Sequence, residues 1–244
     1  MHHVIFVVGT PGAGKTTALR NLALPSGYQT DDTEVRWTQT PPYAFIGHYE
    51  NKSLDGGDRV ARHANLLCLE YWKRNILPDP AYRVTFIDGE MYLWSRILEE
   101  MQGDLDFVRT DAHYKTEGRY HKTFEQILRP DLERFPRSLG GSEDIPQVHV
   151  SCIYLTVSPE VSLARRRGRE AASGEDETVN SDRHMQIAGS KQRNFAARFK
   201  AEVPFFMEPD PDAPGYLELD VEHLSPEEVS GRIREYAQTL GDAE

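Results

Sequence analysis

Cysteine is scarce in this sequence of 244 residues: only Cys68 and Cys152, far apart and with no metal-ligand partner at zinc spacing. That excludes a disulfide framework and a structural zinc module, and it points to reduced thiols in a cytoplasm-like compartment. Long apolar runs are absent too. The longest, Val4–Val8, falls far short of the ~18–20 residues that span a bilayer and has the length of a buried strand. No basic segment followed by an apolar stretch opens the chain, so a secretory leader and a membrane partner are not expected. Positive charge is in deficit, with 28 Lys and Arg against 39 Asp and Glu and a net charge of −11. An acidic surface excludes a general electrostatic grip on nucleic acid, but it leaves room for a local basic groove. Two clusters fit one: Arg165, Arg166, Arg167 and Arg169, then Lys191, Arg193, Arg198 and Lys200. Internal repeats and low-complexity tracts are also missing. A hydrophobic fraction of 39% suffices for one core, so residues 1–244 are expected to form a single domain.

What is present alternates between strand and helix. Met1–Val8 is an apolar β-branched strand, Gly9–Thr16 a glycine loop, and Lys15–Leu22 a helix ended by Pro25–Gly27. Thr30–Pro42 is polar and precedes the short apolar run Tyr43–Gly47. Asp58–Arg74 carries apolar residues at helical spacing, Val84–Ile87 is a buried strand, and Met91–Met101 a helix. Residues 102–147, charged and interrupted by Gly140-Gly141-Ser142, form a helical insertion plus loop. His149–Val157 is a strand, Pro159–Arg169 a helix, Ala171–Asp182 a mobile loop, Gln186–Glu202 a helix, and Tyr216–Asp220 the last strand. Ser225-Pro226-Glu227-Glu228 opens the final helix with a capping hydroxyl, a first-position proline and first-turn carboxylates. This order predicts an α/β fold with three layers: a parallel sheet of about five strands, helices on both faces, a lid at 165–194 and the 102–147 insertion.

Gly9-Thr10-Pro11-Gly12-Ala13-Gly14-Lys15-Thr16 matches the phosphate-binding pattern G-x-x-x-x-G-K-[ST] in full, between a strand and a helix as that pattern requires. Glycine lets backbone N–H groups turn inward around phosphate oxygens, and the helix N-terminus adds its positive dipole end. The motif predicts ATP with Mg²⁺: Lys15 on the β- and γ-phosphates, the Thr16 hydroxyl on the metal, Thr17 on the α-phosphate. A P-loop NTPase fold follows. A GTPase would need Asn-Lys-x-Asp late in the fold, and Asn51-Lys52-Ser53-Leu54 lacks the aspartate. Asp88, at the end of Thr85-Phe86-Ile87-Asp88, is placed to reach Mg²⁺ across the loop or to cap a following helix. Glu90 is a weaker candidate of the same kind.

Ile153–Glu160 followed by Leu163-Ala164-Arg165-Arg166-Arg167-Gly168-Arg169 resembles the strand and arginine-bearing lid helix of nucleoside and thymidylate kinases. Tyr216–Tyr236 is similar to the last strand and helix of that group. Phosphoryl transfer needs positive charge on the transferring group, and lid arginines supply it while excluding water. Arg165 and Arg169, four apart, share a helix face and are the expected catalytic pair, with Arg166 and Arg167 facing solvent.

The acceptor side is expected between the first two long helices. Asp58, on a Gly-Gly turn, is the candidate base for a hydroxyl acceptor or an N-cap, with Asp55 an alternative; His48 and Tyr49 are placed to contact an acceptor or to pack. Gly47-His48-Tyr49 and Gly56-Gly57-Asp58-Arg59 resemble elements of the phage-type 5-hydroxymethyldeoxyuridine DNA kinases. Gly189-Ser190-Lys191-Gln192-Arg193-Asn194 is similar to the helix after their lid. The resemblance implies phosphorylation of a hydroxymethyl pyrimidine in DNA, presented out of the stack, in a host cytoplasm. It also implies phosphate contacts from Lys191, Arg193 and Arg198; the candidate substrate residues are Tyr49, Asp55, Arg59, Arg96 and Arg193. The threonine usual before that family's aspartate is absent here. The competing readings are a free nucleoside or deoxynucleoside-monophosphate kinase with Arg96 on the acceptor phosphate, a kinase for another small molecule, and an ATP-binding regulatory module without turnover. The insertion, with Lys115, Arg119 and Lys122, would serve as a substrate lid, a homodimer surface or a DNA clamp.

Overall fold

The computed structural model describes residues 2–23, 27–31, 34–50, 56–57, 60, 65–89, 148–173, 186, 189–190, 192–194, 196–197 and 215–241. Its core strand is β1 (His2–Gly9), in which every residue is buried. A strand enclosed on both faces needs no alternation, which is why its sequence is one apolar run. Even so, its side chains divide strictly. Val4, Phe6 and Val8 enter one hydrophobic cluster, Ile5 and Val7 the other. The sheet therefore has a core on each side.

Parallel partners flank β1: β5 (Val84–Asp88) on one side and β6 (Val148–Thr156) on the other. β7 (Tyr216–Asp220) adds parallel to β6, and β4 (Tyr43–Ile46) parallel to β5. Two antiparallel strands, β3 (Trp37–Thr40) and β2 (Tyr28–Gln29), then extend the β4 edge. The seven-stranded order is β2-β3-β4-β5-β1-β6-β7. The expected parallel sheet is thus a mixed one, five parallel strands plus an antiparallel edge whose β3 lies within the tract 30–42 that is polar by composition. Its polar residues are buried with partners: Thr38 Oγ1 donates to Gly47 O at 2.9 Å, Gln39 Nε2 to the Tyr71 hydroxyl at 3.0 Å, and the Tyr82 hydroxyl to Gln39 Oε1 at 2.9 Å. Satisfied polar groups carry little burial penalty.

Helices cover both faces. α1 (Lys15–Ala23) and α4 (Pro226–Gly241) pack in the cluster containing Ile5 and Val7, tied by Ser230 Oγ donating to Ala18 O at 2.9 Å. α2 (Asn65–Tyr71), continued by a π-helical turn at Trp72–Ile76, lies on the other cluster. There Trp72 and Trp37 are wholly buried, each directing its indole N–H to an acceptor: Thr85 Oγ1 at 2.9 Å and Cys68 O at 3.3 Å. α3 (Pro159–Ser173) follows β6 and starts at a serine cap, with the Val161 N–H on Ser158 Oγ at 3.4 Å. No helix among the described residues is long and apolar enough to cross a membrane. The loop expected at Ala171–Asp182 starts later than its polar sequence suggested, because α3 continues through Ser173; its remainder, the insertion 102–147 and the helix expected at 91–101 lie outside the described residues.

Candidate active site

The C-terminal ends of β1 and β5 meet at one point. Parallel register sets Val7 beside Asp88, and the Gly89 N–H closes on Val7 O at 2.8 Å. The chain leaving β1 turns through Thr10–Gly14 and enters α1, whose ladder begins with the Ala18 N–H on Gly14 O at 2.9 Å. Gly12 sits at φ 90° and its backbone passes against α3, where a Cβ would meet Ser162 O at 2.6 Å. No side chain fits that position without displacing the helix. α3 fixes the loop further: Ser162 Oγ donates to Pro11 O at 2.5 Å.

Within this frame the motif side chains converge. Thr16 Oγ1 donates to Asp88 Oδ2 at 2.6 Å, a short charge-assisted bond from the first turn of α1 to the end of β5. Lys15 Nζ folds back over the loop, donating to Gly9 O at 2.9 Å and more weakly to Thr10 O at 3.4 Å. The Thr10 hydroxyl is buried and has no hydrogen-bond partner among the described residues. The geometry is an ammonium, a hydroxyl and a carboxylate gathered around a turn of backbone amides at a helix N-terminus, a setting suited to an anion and a divalent cation together. Thr16 and Asp88 supply hard oxygen donors of the kind Mg²⁺ takes. The loop and Lys15 supply the donors a polyphosphate takes.

The acceptor-side loop comes to the same carboxylate. Gly47 N–H donates to Arg36 O, and the Gly56 N–H donates to His48 O at 2.9 Å, closing an isolated bridge between His48 and Gly56. A Cβ on Gly56 would lie 2.5 Å from Asp88 Oδ2, and one on Gly57 2.6 Å from Asp88 O. The Gly-Gly pair lies directly on Asp88, the carboxylate that holds Thr16; Asp55, Asp58 and Arg59 flank that pair in sequence. Those three residues themselves, with Glu90, Arg96, Lys191 and Arg198, lie outside the described residues.

His48 and Tyr49 take the packing alternative of their sequence reading, and the arginine faces of α3 differ from theirs. Tyr49 is fully buried, edge-on to Phe45 at 5.8 Å, and belongs to the core rather than to an open acceptor pocket; its ring tip abuts Gly56. His48 is buried as well, its Nε2 3.3 Å from the Thr30 hydroxyl. In α3 the assignment of faces shifts. Arg165 donates to Val221 O at 2.9 Å and Glu222 O at 3.2 Å beyond the end of β7, whereas Arg166, expected in solvent, is only 8% exposed. The reason is helical phase: Arg166 is four residues past Ser162, the residue bonded to the loop, so it shares that face. Arg167 is exposed, and Arg169 lies within α3 with its side chain outside the described residues. Arg193 is exposed, with Nη2 on Ser190 Oγ at 3.0 Å. It faces Tyr154 of β6: burial raises that phenol's pKa, and the Arg193 charge opposes the rise.

One contact was not anticipated. The Gly9 N–H donates to Gln192 Oε1 at 2.7 Å, across 183 residues of sequence. Only the sequence Lys191-Gln192-Arg193-Asn194 hinted that this stretch mattered, and nothing in it named the partner.

No protein-family model matches this chain, and no curated protein is significantly similar to it.

Proposed function

We propose that this chain is a P-loop kinase that transfers the γ-phosphoryl group of ATP to a hydroxyl of a nucleoside-type acceptor. The acceptor that fits best is the 5-hydroxymethyl group of 5-hydroxymethyluracil in DNA. The observation that carries the reading is the 2.6 Å bond from Thr16 Oγ1 to Asp88 Oδ2. It unites the hydroxyl of a complete G-x-x-x-x-G-K-T motif with a carboxylate at the end of the adjacent parallel strand, the two oxygens a phosphate-bound Mg²⁺ requires. The parallel part of the sheet, β4-β5-β1-β6-β7, supports a P-loop fold, because β1 and its loop lie centrally between the strands that follow them.

In the proposed reaction the acceptor oxygen forms a bond to the γ-phosphorus as the bond to the β–γ bridging oxygen breaks, and ADP departs with those electrons. Lys15 leaves the Gly9 carbonyl for the β- and γ-oxygens. Loop amides hold the β-phosphate. Thr16 and Asp88 would hold Mg²⁺, which when bound neutralises charge on the β- and γ-phosphates. Asp58, the sequence candidate for the base, accepts the proton of the acceptor hydroxyl. Arginines of α3 neutralise the transferring group, Arg166 from the face that Ser162 shares with the loop.

Transfer of label from γ-labelled ATP with Mg²⁺ tests this directly, against thymidine, thymidylate, 5-hydroxymethyldeoxyuridine, its monophosphate, and DNA containing 5-hydroxymethyluracil. Label in the modified DNA alone is the expected result. Label in a free nucleoside or nucleotide would move the acceptor to the salvage class. ATP binding without transfer to any acceptor, together with negligible hydrolysis, would replace the kinase with a regulatory module. Lys15→Ala should abolish transfer while leaving the fold intact.

A further inference from the structure

The helical residues 189–190, 192–194 and 196–197 lie against the glycine loop. Ala196 is buried in the cluster that holds Val4, Phe6 and Val8 of β1. Gln192, one turn earlier on the same face, accepts the Gly9 N–H at 2.7 Å. Gly189, a further turn back, has its Cβ direction 3.6 Å from Thr10 Cγ2 and 3.9 Å from Pro11 Cδ. Three residues of one helical face thus follow β1 into the first half of the loop. Gly9 is held at both ends of its amide framework: Gln192 takes its N–H and Lys15 binds its carbonyl. That carbonyl contact must be given up when Lys15 turns to a phosphate, which leaves the Gln192 bond as the side-chain restraint on Gly9.

We infer that Gln192 is a positioning residue for the phosphate loop, acting through the Gly9 peptide. The inference deepens the kinase reading and rests on it for its functional consequence. Backbone amides bind a polyphosphate well only when they converge before it arrives. Gly9 is where the straight path of β1 ends and the turn begins, so the orientation of its peptide sets the direction of the loop. An acceptor fixed on a separate helical segment, itself anchored in the core by Ala196, holds that orientation whether or not Lys15 is in place. The helical segment around Gln192 is thereby coupled to the nucleotide site by one hydrogen bond.

The test compares the full chain with Gln192→Met, similar in size and without an acceptor amide, and Gln192→Glu, which keeps an acceptor oxygen. Amide hydrogen exchange is followed at Gly9 and at Phe6 in the middle of β1, without nucleotide, and the affinity for a non-hydrolysable ATP analogue is measured by calorimetry. Gln192→Met should speed exchange at Gly9 at least about tenfold with Phe6 unchanged, and weaken the analogue about tenfold, equivalent to ~1.4 kcal/mol. Gln192→Glu should keep Gly9 slow. Unchanged exchange at Gly9 in Gln192→Met would overturn the inference, as would faster exchange along the whole of β1, the signature of a merely structural role. A loosened Gly9 with undiminished affinity would overturn it too. Failure of the unaltered protein to bind the analogue would instead sink the kinase reading, and exchange at Gly9 would still decide whether Gln192 sets the loop.

Discussion

Asp88 serves two contacts at once: its Oδ2 accepts the Thr16 hydroxyl at 2.6 Å, and its backbone and carboxylate lie under the Gly56-Gly57 turn. The two roles separate by substitution. Asp88→Asn keeps an oxygen for Thr16 and the shape under the turn but removes the charge a divalent cation needs. On the kinase reading, transfer should fall roughly 10²-fold or more while the thermal midpoint stays within a few degrees. Unchanged turnover would make Asp88 a structural cap. Gly56→Ala probes the contact from the other side. At φ +62° an alanine pays about 1–2 kcal/mol of backbone strain, and its Cβ meets Asp88 Oδ2 at 2.5 Å. For a chain of this size the midpoint should drop by about 2–8 °C. The Mg²⁺ concentration needed for half-maximal transfer should rise as the carboxylate is pushed off Thr16. A lowered midpoint with an unchanged Mg²⁺ requirement would confine Gly56 to stability.

The elements show why some of this was legible and some was not. β1 announces itself because a strand buried on both faces reads as an unbroken apolar run, β5 and β6 because β-branched and aromatic residues dominate them, and α4 because its start is written in local chemistry. The Glu228 N–H meets Ser225 Oγ at 3.2 Å while Glu228 Oε2 accepts the Ser225 N–H at 2.7 Å, a reciprocal capping box. β3 hid because Trp37-Thr38-Gln39-Thr40 is polar by composition, and only the tertiary partners of Thr38 and Gln39 make it a buried strand. Lys15, Thr16 and Asp88 were legible from a motif and a strand end. Gln192 and the buried face of Arg166 were not, since each depends on where a remote helix lands. Ser225→Ala tests the local part alone. Loss of the cap should cost about 1 kcal/mol, or some 2–4 °C in the midpoint, with no effect on nucleotide affinity. A change in affinity would mean that α4, packed on α1 through Ser230 and Ala18, transmits strain to the loop.

For the molecule as a whole, acid stability turns on a histidine far from the loop. His2, at the start of the central strand, has Nε2 2.9 Å from Thr85 Oγ1, and the same hydroxyl accepts the Trp72 indole N–H at 2.9 Å. One buried knot therefore ties β1, β5 and the π-turn after α2. Burial, reinforced by the neighbouring His3, lowers the His2 pKa to about 4; a backbone hydrogen bond with Tyr82 opposes that shift. Because the folded pKa lies below the unfolded value of 6.5, the unfolded chain binds the proton more readily between those pH values. His2 therefore contributes its full stabilisation above pH ~6.5 and loses it progressively as the pH falls towards ~4. By pH 4.5 the loss should be about 2–3 kcal/mol, read as the difference in denaturant unfolding free energy from pH 7. The same experiment on His2→Gln isolates this group from the many carboxylates, which titrate in both proteins. The variant should be less stable at pH 7 yet lose less between pH 7 and 4.5, so the two curves converge in acid. Parallel curves would place the acid sensitivity elsewhere and leave His2 a packing residue at the base of the central strand.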